Sequence, residues 1–200
     1  MFKSPRKNIN ISHDLKFIYF SIQKNASTSM LNIINNISND IEIVDNIDLT
    51  NFKEYYKFTL FRNPYNRTRS LLQMYLKKLH CVSEKDIVES INTDSSVDNL
   101  NEVEEKLAKI GEKHWFKQIL YFPKDDMDLI GTLENIDYFL EEISKNINID
   151  MKKYIKCLNK CRINRFNKNL TKVEYLTNSK FSEDLDFYKK YIWYKSFYTI

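Results

Sequence analysis

Two copies of one local grammar constrain this chain more than anything else in it. Lys16–Ile22 (KFIYFSI) is a short aromatic and β-branched run, which reads as a buried strand. It is followed by the polar turn QKNASTS and then by MLNIINNI, whose apolar positions Met30, Leu31, Ile33, Ile34 and Ile37 suit a helix. The same order returns in KFTLF (Lys57–Phe61), RNPYNR and the amphipathic TRSLLQMYLKKL. In the second copy Pro64 stands where a first-turn proline is tolerated, and Asn63 is placed to cap the helix.

The remainder extends this pattern. Asp128–Thr132 reads as a third short strand and Asn135–Ile147 as a helix. Ser83–Gly111 is polar and rich in Glu and Lys, consistent with two exposed helices and a loop near Asn92–Asp98. The last third reads as helical and basic, ending in the aromatic run FYKKYIWYKSFY. Strands alternating with helices predict an α/β fold, a small parallel β-sheet flanked by helices, with a helical C-terminal part. With 200 residues and no linker, one domain over 1–200 is expected.

In a parallel sheet the C-terminal strand ends form the ligand edge, and helix N-termini there attract anions. Both polar turns fall at that edge. Gln23-Lys24-Asn25-Ala26-Ser27-Thr28-Ser29 offers hydroxyls, a run of backbone N–H groups and one lysine, as a phosphate cradle requires. A solvated helix cap is the competing reading of the same residues. The turn holds no glycine, and Asn25 is the residue expected to take a left-handed conformation. In the second copy Arg62 ends the strand and Ser70 lies two helical turns on, so both can converge on one phosphate. Arg67 and Arg69 are further candidates, each also readable as a surface or ion-pairing arginine.

The net charge of +4 suits an anionic ligand and falls short of a dedicated nucleic-acid binder. Cys81, Cys157 and Cys161 have no second Cys or His pair nearby to complete a zinc site, so no metal is expected and free thiols are. The apolar stretch Phe17–Ile22 is too short for a signal peptide or a membrane span, which points to a cytoplasmic protein without a transmembrane segment. A Walker-type loop needs two glycines around its turn, but Gly111 and Gly131 are the only glycines, which disfavours an ATP-dependent phosphotransferase.

The segment KFIYFSIQKNASTSM resembles the 5′-phosphosulfate loop of sulfotransferases, a strand followed by Pro-Lys-x-Gly-x-Thr-Ser. KFTLFRNPYNRTRSLL is similar to their 3′-phosphate motif, Arg-x-Pro-x-x-Arg-x-x-Ser after an apolar strand, matched at Arg62, Pro64, Arg67 and Ser70. Lys113–Gln118 resembles the His-Trp-x-x-Gln segment of the carbohydrate sulfotransferase branch, and Ile130–Asn135 its Gly-x-x-Glu-Asn strand end. The aromatic helix at Asp184–Tyr198 also fits. Gln23 stands where the family has proline, and Ala26-Ser27 replaces its glycine-containing turn.

The resemblance implies a P-loop-like sulfotransferase fold and the donor 3′-phosphoadenylyl sulfate (PAPS), leaving 3′-phosphoadenosine 5′-phosphate (PAP) as product. It implies Lys24, the backbone of Asn25, Ala26, Ser27, Thr28 and Ser29, and the three hydroxyls around the 5′-phosphosulfate. Arg62 and Ser70 would hold the 3′-phosphate. The acceptor would be a hydroxyl, of a carbohydrate or glycan precursor in this branch. His114 is a candidate catalytic base beside Trp115, or a buttress of the nucleotide loop, with carboxylates of the polar middle segment as other bases. The basic stretch from Lys152 to Lys168 reads as a solvated helix face, a further 3′-phosphate contact through Arg165 or Lys168, or an acceptor groove. A non-catalytic nucleotide-binding or interaction protein of the same fold is the alternative.

Overall fold

The structure is a computed structural model, describing residues 1–5, 7–71, 117–154, 178 and 181–196, the last six of these as backbone. The strands are β1 (Phe2–Lys3), β2 (Ile9–Ser12), β3 (Phe17–Phe20), β4 (Ile41–Val44), β5 (Asn46–Ile47), β6 (Tyr56–Phe61) and β7 (Leu129–Thr132). Among the described residues four α-helices accompany them: α1 (Ser27–Ile37), α2 (64–71), α3 (Ile136–Ile147) and α4 (Ser182–Ser196).

Five strands form one sheet in the order β4-β2-β3-β6-β7, and β1 pairs with β5 apart from it. The β3–β6 and β6–β7 pairs are parallel, with Phe20 opposite Thr59 and Phe61 opposite Thr132. The β2–β3 and β2–β4 pairs are antiparallel. The sheet is therefore mixed, which corrects the expectation of a purely parallel one. Ile9–Ser12 carries no apolar run because Asn10 and Ser12 are buried polar residues whose partners include groups on other segments. Asn10 Nδ2 donates to the carbonyls of Asn8 and Tyr19 at 2.8 and 3.2 Å. Ser12 Oγ donates to Asp14 Oδ1 at 2.6 Å and lies 3.0 Å from Ser38 Oγ, which donates to the same carboxylate oxygen. Hydrogen bonding makes burial of such groups tolerable, so hydropathy alone hides the strand.

Side chains alternate across a strand, and both faces of β3 are covered. Phe17 and Tyr19 face Met30, Ile33 and Ile34 of α1 and Phe139, Leu140 and Ile143 of α3, together with Phe58 and Leu60 of β6. Ile18 and Phe20 face the opposite cluster with Phe61, Ile119, Tyr121 and Phe122, against which Phe187 and Tyr188 of α4 pack. This double burial explains why KFIYFSI and KFTLF are continuous apolar runs. Gly131 of β7 lies against the Phe139 ring, where a Cβ would come within 1.9 Å of Cδ2.

The polar segment Ser83–Gly111 and the basic stretch after Lys153 lie outside the described residues. No helix among the described residues is long and apolar enough to cross a membrane.

Candidate functional site

Adjacent parallel strands bring the two polar turns together, since β3 and β6 end side by side. In the first turn Lys24 and Ala26 have φ of 68° and 57°, both left-handed. This corrects the expectation for Asn25. An alanine in that region costs roughly 1–2 kcal/mol, and it stands at the position where the family pattern has glycine. Asn25 is instead fully buried, its Nδ2 donating to Leu60 O at 2.8 Å and Gln118 Oε1 at 2.6 Å. Its Oδ1, like Gln23 Oε1, is buried without a hydrogen-bond partner among the described residues.

The turn delivers the chain into α1 at Ser27. No side chain caps that N-terminus, and its first turn holds no acidic residue. Ser27 and Ser29 are half-buried and Thr28 is exposed, with Lys24 half-buried beside them. Leading N–H groups of a helix have no partner within it and carry a partial positive charge.

The N-terminus of α2 is different. Asn63 Oδ1 accepts from the N–H groups of Tyr65 at 3.0 Å and Asn66 at 3.4 Å, as expected of a cap. The Glu134 carboxylate accepts from Asn63 N at 3.2 and 3.3 Å and from Asn66 Nδ2 at 3.2 Å. Burial pushes the nearby Tyr188 hydroxyl up to about 12, and the Glu134 charge adds to the rise. Among the described residues, the protein thus supplies its own anion at the α2 start and no cap or first-turn acid at the α1 start.

Arg62 is buried, with Nη1 donating to Lys24 O at 2.9 Å. The arginine expected to grip a phosphate also holds the first turn in place. Pro64, Arg67, Thr68 and Leu71 form the buried face of α2, and half-buried Ser70 lies on the turn after Arg67.

Arg67 is not a surface residue. It is 1% exposed, its Nε donates to Gln23 O at 3.3 Å, and its guanidinium lies 5.5 Å from the Phe181 ring centre. Burial lowers its pKa, with the Asp184 and Tyr121 charges pulling the other way. Burial raises the Asp184 pKa, with Arg67 and the N–H groups of Gln118 and Ile119 acting the other way.

Lys24, Asn25, Ala26, Ser27, Thr28, Ser29, Arg62 and Ser70 all belong to the two turns or the helices they start. His114 lies outside the described residues. Sequence reasoning assigned no role to Gln118 or Asp184, both buried beneath the turns. The available signal for Gln118 was its place at the end of the His-Trp-x-x-Gln-like segment, just before the apolar run Ile119–Phe122. No group of His, Cys, Asp or Glu among the described residues could hold a metal ion. No family model, curated protein or solved structure matches the chain.

Proposed function

We propose that the two turns hold PAPS and that the chain transfers its sulfuryl group to an acceptor hydroxyl, of a carbohydrate or glycan precursor. The observation that carries this reading is the contrast between the two helix starts. Among the described residues the α1 N-terminus has neither a side-chain cap nor a first-turn acid and follows a left-handed Lys24 and Ala26, whereas Asn63 and Glu134 already serve α2. Alternating left-handed residues ahead of a helix start turn backbone N–H groups toward an anion.

The 5′-phosphosulfate would lie against the N–H groups of Asn25–Ser29 and the hydroxyls of Ser27, Thr28 and Ser29. Arg62 and Ser70 would take the 3′-phosphate. In the reaction the acceptor oxygen bonds to sulfur as the bond from sulfur to the phosphate oxygen breaks, and PAP departs. Lys24 would balance the charge growing on that phosphate oxygen, a role whose loss typically costs about 2.7–4 kcal/mol. His114 is the proposed base that takes the acceptor proton.

Two measurements test this. PAP should raise the melting temperature, because a ligand that binds only the folded state stabilises it, and AMP should do so much less. Incubation with sulfur-labelled donor and a panel of carbohydrate acceptors should give a labelled product. Equal shifts from PAP and AMP would sink the 3′-phosphate assignment. Binding of PAP with no transfer to any acceptor would leave the non-catalytic reading.

A further inference from the structure

Gln118 is fully buried beneath the two turns, where an apolar side chain would have sufficed to fill space. Its Oε1 accepts from Asn25 Nδ2 at 2.6 Å and from Arg62 N at 3.0 Å, while its Nε2 donates to Arg62 O at 3.0 Å. One amide therefore grips the first turn through a side chain and the second through both backbone groups of Arg62. Its own backbone N–H donates to Asp184 Oδ2 at 2.8 Å, and that of Ile119 to Oδ1 at 3.1 Å. Asp184 belongs to α4, so the same residue links the turns to the C-terminal helix.

Burying such a network is costly if any member lacks its partner, and when satisfied it fixes one geometry rather than a family of them. The apolar clusters hold strands and helices together, but a hydrophobic contact has no direction and does not set the spacing of two turns. We propose that Gln118 is a positioning residue that couples the two turns, so that a ligand anionic at both ends is held at both at once. Asp184 makes that spacing depend on the docking of α4. The proposal rests on the donor-binding reading above and adds to it the source of the preference for a doubly phosphorylated nucleotide. A second anchor strengthens binding only when its spacing matches the ligand.

The experiment compares wild type, Gln118→Leu and Gln118→Glu. Leucine removes every side-chain bond; glutamate keeps the shape and the two accepted bonds and loses the donor to Arg62 O. PAP and AMP are titrated calorimetrically into each folded variant. The preference for PAP over AMP should fall by about tenfold or more in Gln118→Leu and by less in Gln118→Glu. A general loss of stability would weaken both nucleotides alike and leave that ratio unchanged, and an unchanged ratio in a folded variant overturns the proposal. Should Gln118→Leu not fold, Gln118→Glu carries the comparison. Amide exchange without nucleotide gives an independent arm, in which the Arg62 and Asn25 backbone N–H groups should both exchange faster in Gln118→Leu. If wild type shows no preference for PAP, the donor-binding reading fails, and exchange alone decides the coupling. Faster exchange at both sites supports it, and an unchanged Asn25 rejects it.

Discussion

Arg62 Nη1 donates to the carbonyl oxygen of Lys24 at 2.9 Å, tying the cation at the end of β6 to the turn that follows β3. These are the two residues assigned to opposite ends of the donor, so their substitution should separate binding from chemistry. Arg62 would contact a phosphate that does not change during reaction, and Lys24 one on which charge develops. We expect Arg62→Ala to weaken PAP binding and Lys24→Ala chiefly to lower kcat, the latter by roughly 10²–10³-fold. Because Arg62 also holds Lys24 O, Arg62→Ala should lower kcat somewhat as well. Unaltered PAP affinity in Arg62→Ala would remove Arg62 from the site.

Ala26 is left-handed, with φ of 57° at the entrance to α1. Glycine takes this conformation without the steric cost to Cβ, against which its greater freedom in the unfolded chain must be set. Ala26→Gly should therefore stabilise the protein by up to about 1 kcal/mol, and Ala26→Val should destabilise it. Urea unfolding of the two variants measures this. Destabilisation by glycine would contradict a left-handed residue at this position.

Gly131 tolerates no side chain, since a Cβ there would lie 1.9 Å from Phe139 Cδ2 and the Phe139 ring is fully buried. Gly131→Ala should cost about 1–3 kcal/mol or more through overpacking. Phe139→Leu should recover part of this loss in the double variant, because the two positions touch. Additive losses in thermal unfolding would show that β7 and α3 do not meet in this way.

Asp14 governs part of the acid response. Partial burial pushes its carboxyl up, but the hydroxyls of Ser12 and Ser38 and the N–H groups of Asn39 and Leu15 outweigh this and hold it below the ordinary 3.8. A carboxyl with a depressed folded pKa contributes stability above its unfolded value, and that contribution is lost as pH falls through the folded value. Because Asp14 is exposed, Asp14→Asn should lower Tm only slightly at neutral pH, by about 2 °C or less. The difference from wild type should shrink below the unfolded pKa. A gap that persists undiminished at low pH would show that the carboxylate charge is not its source.

Elements set by near neighbours were legible in the residues themselves. Apolar runs marked β3, β6 and β7, periodicity marked α1 and α3, and Asn63 announced the start of α2. Chain order alone placed both polar turns after strands, and with them the residues of the candidate site. What the residues could not display depends on partners distant along the chain. Asn10 and Ser12 became strand residues only because neighbouring segments satisfy their polar groups. The left-handed Lys24 and Ala26 flank an Asn25 side chain anchored on Leu60 O and on Gln118, which is 93 positions away. Glu134 reaches Asn63 across 71 positions and meets the start of α2 with an anion, while the first turn of α1 holds no acidic residue. Local pattern determined where anions could be drawn, because caps and periodicity act within a few residues. Tertiary packing decided which helix start meets a carboxylate of the protein itself, because only folding brings Glu134 from β7's end to α2.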